Sequence, residues 1–149
     1  MDEKVKRFIL ELLKQHNLLT LATAREDGYP QATTVTYANE DLTLYFAAAK
    51  DSQKIHNIMR NNKVSLAIDK DYEDWSKIKG LSMAGSAEVL TEPAAAKRAL
   101  GCLMKKFPQW SRLPIPIDPA EIAVVKITPK VISVIDYERG FGHADLVEV

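Results

Sequence analysis

Between Val5 and Leu13 the apolar residues recur at helical intervals. Val5, Phe8, Ile9, Leu12 and Leu13 form one stripe, and Glu3, Lys4, Lys6, Arg7, Glu11 and Lys14 fill the opposite face. This spacing predicts an amphipathic helix that ends near Asn17. The period then drops to two. Leu19, Leu21 and Thr23 alternate with Thr20, Ala22 and Ala24, and Glu26-Asp27-Gly28 supplies a turn. A second strand is expected from Gln31 to Ala38 behind Pro30, closed by a turn at Asn39-Glu40-Asp41. A third follows, with Leu42, Leu44 and Phe46 on one face and Thr43, Tyr45 and Ala47 on the other. Strands joined by such short turns form an antiparallel meander.

Asp51 or Ser52 then caps a short helix with Ile55, Ile58 and Met59 inward, ended by Asn61-Asn62. Val64, Leu66 and Ile68 mark a fourth strand. A fifth runs from about Leu81 to Leu90, where Gly85 predicts a bulge or a close backbone approach. Thr91-Glu92-Pro93 starts a third helix, with Leu100, Leu103, Met104 and Phe107 as its apolar face. Pro108, Pro114, Pro116 and Pro119 mark an irregular stretch around Trp110. Ile122 to Tyr137 reads as two strand pieces broken at Pro129, and Arg139-Gly140-Phe141-Gly142-His143 as a tail. The sum is one mainly β domain of about six strands and three helices. An antiparallel sheet of many short strands closes into a barrel to remove its edges.

Composition narrows the function. The 20 Lys and Arg balance the 20 Asp and Glu, so nothing steers the chain toward nucleic acid or an anionic membrane. A lone cysteine, Cys102, excludes an internal disulfide framework and any CxxC metal site, and reads as a buried, inert thiol. No apolar run approaches membrane-spanning length, and the start carries Asp2 and Glu3 rather than a signal peptide's apolar region, so a cytoplasmic location is expected.

The candidate chemistry lies in Ala47-Ala48-Ala49-Lys50-Asp51-Ser52-Gln53-Lys54, where a strand runs into a helix start. Free amides and the helix dipole there favour an anion. Two lysines at such a place are locally unfavourable unless an anion joins them, and phosphate is the natural choice. Ser52 adds a hydroxyl, and the alanines leave room for a flat ligand. The same residues also suit a plain solvated helix start, and the glycine spacing of a P-loop is absent. The second strand is polar on both faces through Gln31, Thr33, Thr34 and Thr36. This is either an edge strand or a wall presenting hydroxyls and main-chain groups to a planar ring.

Pro30 with its strand, Leu44-Tyr45-Phe46-Ala47-Ala48-Ala49, Ser52-Gln53-Lys54, Asn61-Asn62-Lys63-Val64-Ser65-Leu66 and Gly85-Ser86-Ala87-Glu88-Val89-Leu90 together resemble the pyridoxamine 5'-phosphate oxidase-like family of FMN-binding split-barrel proteins. The resemblance implies a six-stranded antiparallel Greek-key split barrel and a homodimer with FMN at the subunit interface. It matches Ser52, Gln53 and Lys54 to the family's Ser-Arg-Lys phosphate clamp, with Lys50 standing in for the missing arginine. It places Thr33, Thr34, Val35 and Thr36 along the flavin ring, with Ala47 and Ala48 facing it. Two departures argue against vitamin B6 oxidation. Ala32 and Thr33 stand where those oxidases carry an arginine, and Ile135 and Asp136 where they use a tryptophan.

The expectation is therefore a flavin-dependent oxidoreductase with NADH or NADPH as possible donor. The alternatives are a flavin binder without turnover and a relative that takes the deazaflavin F420 or heme. His16 and His56 read as surface or satisfied residues, and His143 alone is a candidate near a ligand. Asp69, Asp71, Glu73 and Asp74 lack the EF-hand spacing and read as a solvated loop. Trp75 and Trp110 either cover the flavin, meet a second subunit or simply pack. Substrate choice is expected to rest on loops including Gln109 to Pro119.

Overall fold

The computed structural model describes residues 1–113 and 118–149. Pro114 and Pro116 of the expected irregular stretch lie outside the described residues. The chain folds as α1 (Glu3–Gln15), β1 (Leu18–Ala24), β2 (Pro30–Thr36), β3 (Ala38–Glu40), β4 (Thr43–Ala49), α2 (Gln53–Arg60), β5 (Lys63–Ile68), β6 (Lys79–Val89), α3 (Pro93–Lys106), β7 (Ile122–Asp136) and β8 (Ala144–Glu148). The strands form one antiparallel sheet in the order β2-β1-β5-β6-β7-β4-β3, with β8 also paired to β7. The sheet curls until β2 approaches β4 without joining it. This is a split barrel flanked by three helices.

The inward face of the sheet and one face each of α1 and α2 share a single core containing Ile9, Leu13, Leu21, Phe46, Ile58 and Val125. A smaller cluster on the outer face, Tyr45, Val124, Ala99, Leu103 and Phe107, seats α3. The expected helices from Val5 and from Thr91-Glu92-Pro93 both form. Asp2 caps α1 by accepting from the Lys4 amide, and Glu92 caps α3 by accepting from Ala94 and Ala95.

Eight strands stand among the described residues against the expected number of about six, since one strand divides and the tail adds another, while the last strand stays whole. The second strand breaks at Tyr37, whose ring is fully buried and whose hydroxyl donates to the Leu13 carbonyl at 2.7 Å. The bend that aims it under α1 separates β2 from β3, and the turn falls after Glu40, with Asp41 at φ 51. The last strand does not break at Pro129. Pro129 lies opposite Gly85, where the β6–β7 register shifts, so its missing N–H falls at the bulge foreseen at Gly85. The tail turns back through Gly140 (φ 137) and Gly142 (φ 82), and Ala144–Glu148 pairs along Val131–Ile135.

One half-buried cation ties distant segments together. Lys106, at the end of α3, donates to the carbonyls of His16 (2.6 Å) and Leu13 (3.2 Å) and lies 3.9 Å from the centre of the Tyr37 ring. It thereby satisfies carbonyls that α1 leaves open at its end. Burial pushes the Lys106 ammonium down to about 8. An unfolded lysine titrates near ~10.4, so between these values the unfolded chain holds the proton more tightly. The group's contribution to stability then rises with pH across that window. Lys106→Met removes this slope. In urea unfolding at about pH 7.5 and 9.5, the wild type is expected to gain on the variant as pH rises; a constant gap would contradict the assignment.

Candidate functional site

The run from Ala47 to Lys54 carries β4 into α2, as the pattern predicts. Ser52 occupies the N-cap with extended backbone, but no side chain caps the helix. Its hydroxyl donates instead to the Ala49 carbonyl at 2.7 Å. The first turn contains no acidic residue. Lys50 is exposed and Lys54 half-buried, and among the described residues neither has a carboxylate oxygen within 4.0 Å. Both lysines and the open amides of α2 thus lie at this corner, and among the described residues neither ammonium is paired with a carboxylate. A cleft of about 740 Å³ opens beside Lys50, its other lining residues including Asp51, His56, Asp118 and Glu121. The Lys50 amide is anchored to the Glu121 carbonyl at 2.8 Å, which fixes this corner to β7.

Gln53 does not take the place of the clamp's middle basic residue. Its amide nitrogen donates to Asn57 Oδ1 at 2.8 Å, and Asn57 Nδ2 donates to Thr23 Oγ1 (3.0 Å) and Gln31 Oε1 (3.1 Å). Asn57 is 2% exposed and ties α2 to β1 and β2. Sequence reasoning missed it. Its signal was an amide set between the buried Ile55 and Ile58, where a lone polar side chain needs partners.

The β2 residues divide between two faces. Thr33 and Val35 pair with the buried Leu21 and Leu19 and so point inward; Thr34 and Thr36 pair with Thr20 and Leu18 and point outward. The Thr33 hydroxyl oxygen is buried and finds no hydrogen-bond partner among the described residues. Ala48 likewise packs on the inner core and Ala47 on the outer cluster. The expected wall is therefore not one surface of side chains. What β2 offers as a unit is its main chain, because it pairs only with β1 and its other edge is open toward β4.

The remaining candidates sit elsewhere. His143 Nε2 lies 3.0 Å from Asp145 Oδ2, and Arg139 shares that carboxylate at 3.0 Å. Hydrogen bonding from His143 holds the Asp145 carboxyl below the usual range. This cluster latches the β7–β8 turn. His16 is buried beyond the end of α1, and burial lowers its imidazole. Cys102 is half-buried against the outer cluster, rather than fully buried as expected. Trp75 is 67% exposed in a 3-10 turn, whereas Trp110 stacks near Phe107 at 6.3 Å between ring centres. The Asp74 carboxylate is engaged by the Ser76 amide and hydroxyl. No described helix is long and apolar enough to cross a membrane.

Known proteins place this arrangement. General stress protein 26 of Bacillus subtilis is 26% identical over 88 residues, a match covering 59% of this chain and 61% of that protein, less than two thirds of its length. A Clostridium acetobutylicum protein related to general stress protein 26 superimposes with a TM-score of 0.73 at 19% identity, covering 100% of this chain and 97% of that one. A heme binding protein from Mycobacterium smegmatis gives 0.77 at 20% identity, covering 96% of this chain and 56% of that one. At these identities the two structures establish the fold. The family model for pyridoxamine 5'-phosphate oxidase matches residues 2–136, nearly the whole chain. The chain belongs to the pyridoxamine 5'-phosphate oxidase family.

Proposed function

We propose that this protein is an FMN-binding flavoprotein of the cytoplasm, a flavin-dependent oxidoreductase whose two cofactor sites lie at the interface of a homodimer. The observation that carries this reading is the start of α2, whose first turn holds no acidic residue and no side-chain cap and whose lysines, Lys50 and Lys54, form no ion pair among the described residues. A phosphate monoester supplies the ion-pair partner that these lysines lack.

The residues present fit such a group. Lys50 and Lys54 bind the phosphate as point charges, and the open amides of α2 complete the cradle. Ser52 joins by rotating its hydroxyl away from the Ala49 carbonyl. Gln53 contributes no charge and is held by Asn57. The unpartnered Thr33 hydroxyl and the open main-chain edge of β2 suit the polar rim of a flavin ring. When bound, FMN supplies two-electron redox chemistry, and the protein's part is to position and tune it. NADH or NADPH is the proposed donor. Exposed apolar side chains, Trp75, Phe141 and Leu146 among them, give a second copy surface to cover.

The test is the visible spectrum after the purified protein is mixed with FMN and desalted. Retention of the flavin bands near one per chain is expected. A colourless product would end the flavin reading, and a Soret band in the protein as isolated would replace it with heme. Consumption of NADH or NADPH with a panel of acceptors then separates an oxidoreductase from a flavin carrier.

A further inference from the structure

Ala49 and Ile122 border the charged cleft on one side and a second hollow, of about 670 Å³, on the other. Its walls include Ala47 on β4, Leu100 and Met104 on α3, Trp110 beyond α3, and Val124 on β7. Apart from the Trp110 indole N–H, the one polar side chain among the described lining residues is Ser111. Its hydroxyl already donates to the Pro108 carbonyl at 2.8 Å. No charged side chain takes part among the described lining residues. An ion entering this hollow sheds hydration worth several kcal/mol and finds no partner. A neutral aromatic molecule loses little and gains roughly 25 cal/mol for each Å² of apolar surface covered. The volume lies in the range of about 300–1,000 Å³ usual for small-molecule sites. Trp110 is held in place by Phe107, their rings 18° from parallel, and offers an aromatic surface against which a flat ligand packs.

We propose that this hollow binds an uncharged aromatic small molecule, and that this molecule is the protein's redox substrate. As a binding site it stands on its own lining. As a substrate site it rests on the flavin reading above, because it shares its border with the proposed phosphate corner. A phosphate ester finds no counter-charge here, in keeping with the missing arginine that separates this chain from oxidases of vitamin B6.

The chain has two tryptophans, so Trp75→Phe leaves Trp110 as the sole reporter. The protein, with and without added FMN, is titrated with 1-nitronaphthalene and with its anionic congener 5-nitronaphthalene-1-sulfonate. Saturable quenching by the neutral compound is expected, with the sulfonate at least about tenfold weaker, since burying its charge costs more than the ~1.4 kcal/mol that a factor of ten represents. Met104 is 48% exposed at the rim, so Met104→Glu should keep the melting temperature while weakening the neutral probe about tenfold. Equal affinity for the sulfonate, quenching that never saturates, or indifference to Met104→Glu would each overturn the site. So would a failure to bind the neutral probe accompanied by Trp110 emission that shifts with protein concentration, the mark of a second copy seated there. Saturation without FMN uptake would leave the site standing and remove its role as a flavoprotein substrate site. FMN uptake without probe binding would do the reverse.

Discussion

Lys54→Glu is expected to weaken FMN binding by about 100-fold while leaving the fold intact. The native ammonium has no carboxylate within 4.0 Å among the described residues, so its removal strands no internal partner. Against a phosphate dianion, a charge-assisted bond contributes roughly 1.5–3 kcal/mol. Reversing the charge adds repulsion at the helix end that favours anions, and each ~1.4 kcal/mol is a factor of ten. Lys54→Gln removes the bond without the repulsion and should lose about tenfold. Flavin fluorescence titration reads both variants, and the deficit should shrink as salt is raised. Unchanged affinity in Lys54→Glu would move the phosphate elsewhere.

Gly85→Val should lower the melting temperature by about 10 °C without touching any proposed ligand contact. A Cβ at Gly85 would lie 2.4 Å from the Thr128 carbonyl oxygen and 3.0 Å from Pro129 Cα. Both are backbone atoms of β7, so no side-chain rotation relieves the clash. β6 and β7 would have to part at the bulge that accommodates Pro129. Overpacking of this kind costs about 3 kcal/mol, and a chain this size loses roughly 2–4 °C per kcal/mol. Gly101→Ala is the control. Nothing lies within 4 Å of the added methyl on α3, and it should stabilise by about 0.5–1 kcal/mol. A Gly85→Val protein that melts with the wild type would show that the two strands slide past each other freely.

The parts of this molecule that were legible in its sequence are those whose physics is local. The stripe from Val5 to Leu13, the helix start at Glu92 and the glycine bulge at Gly85 depend on neighbours a few positions away. The lysines at the start of α2 were legible for the same reason. Partners far apart in the chain were not. The break at Tyr37 arises because its hydroxyl seeks Leu13, which no period-two pattern records. Pro129 read as an interruption until its opposite number, Gly85, was known. The β2 wall misled because alternation fixes which residues share a face, yet polarity on both faces hid which one was inward. Register against β1 decides it, separating Thr33 from Thr34. Asn57 was hidden by its own success, an amide whose partners come from two other strands.

The bonds from Lys106 reach back 90 and 93 positions, to carbonyls at the end of the first helix. On a ribosome the opening segment emerges long before the residue that locks it, and loop closure over such a span is slow. The amphipathic stripe of that segment therefore waits, greasy and unclasped, until the 90 or so positions that separate it from Lys106 have been made. Biogenesis of this protein is a race in which a segment made early is secured late.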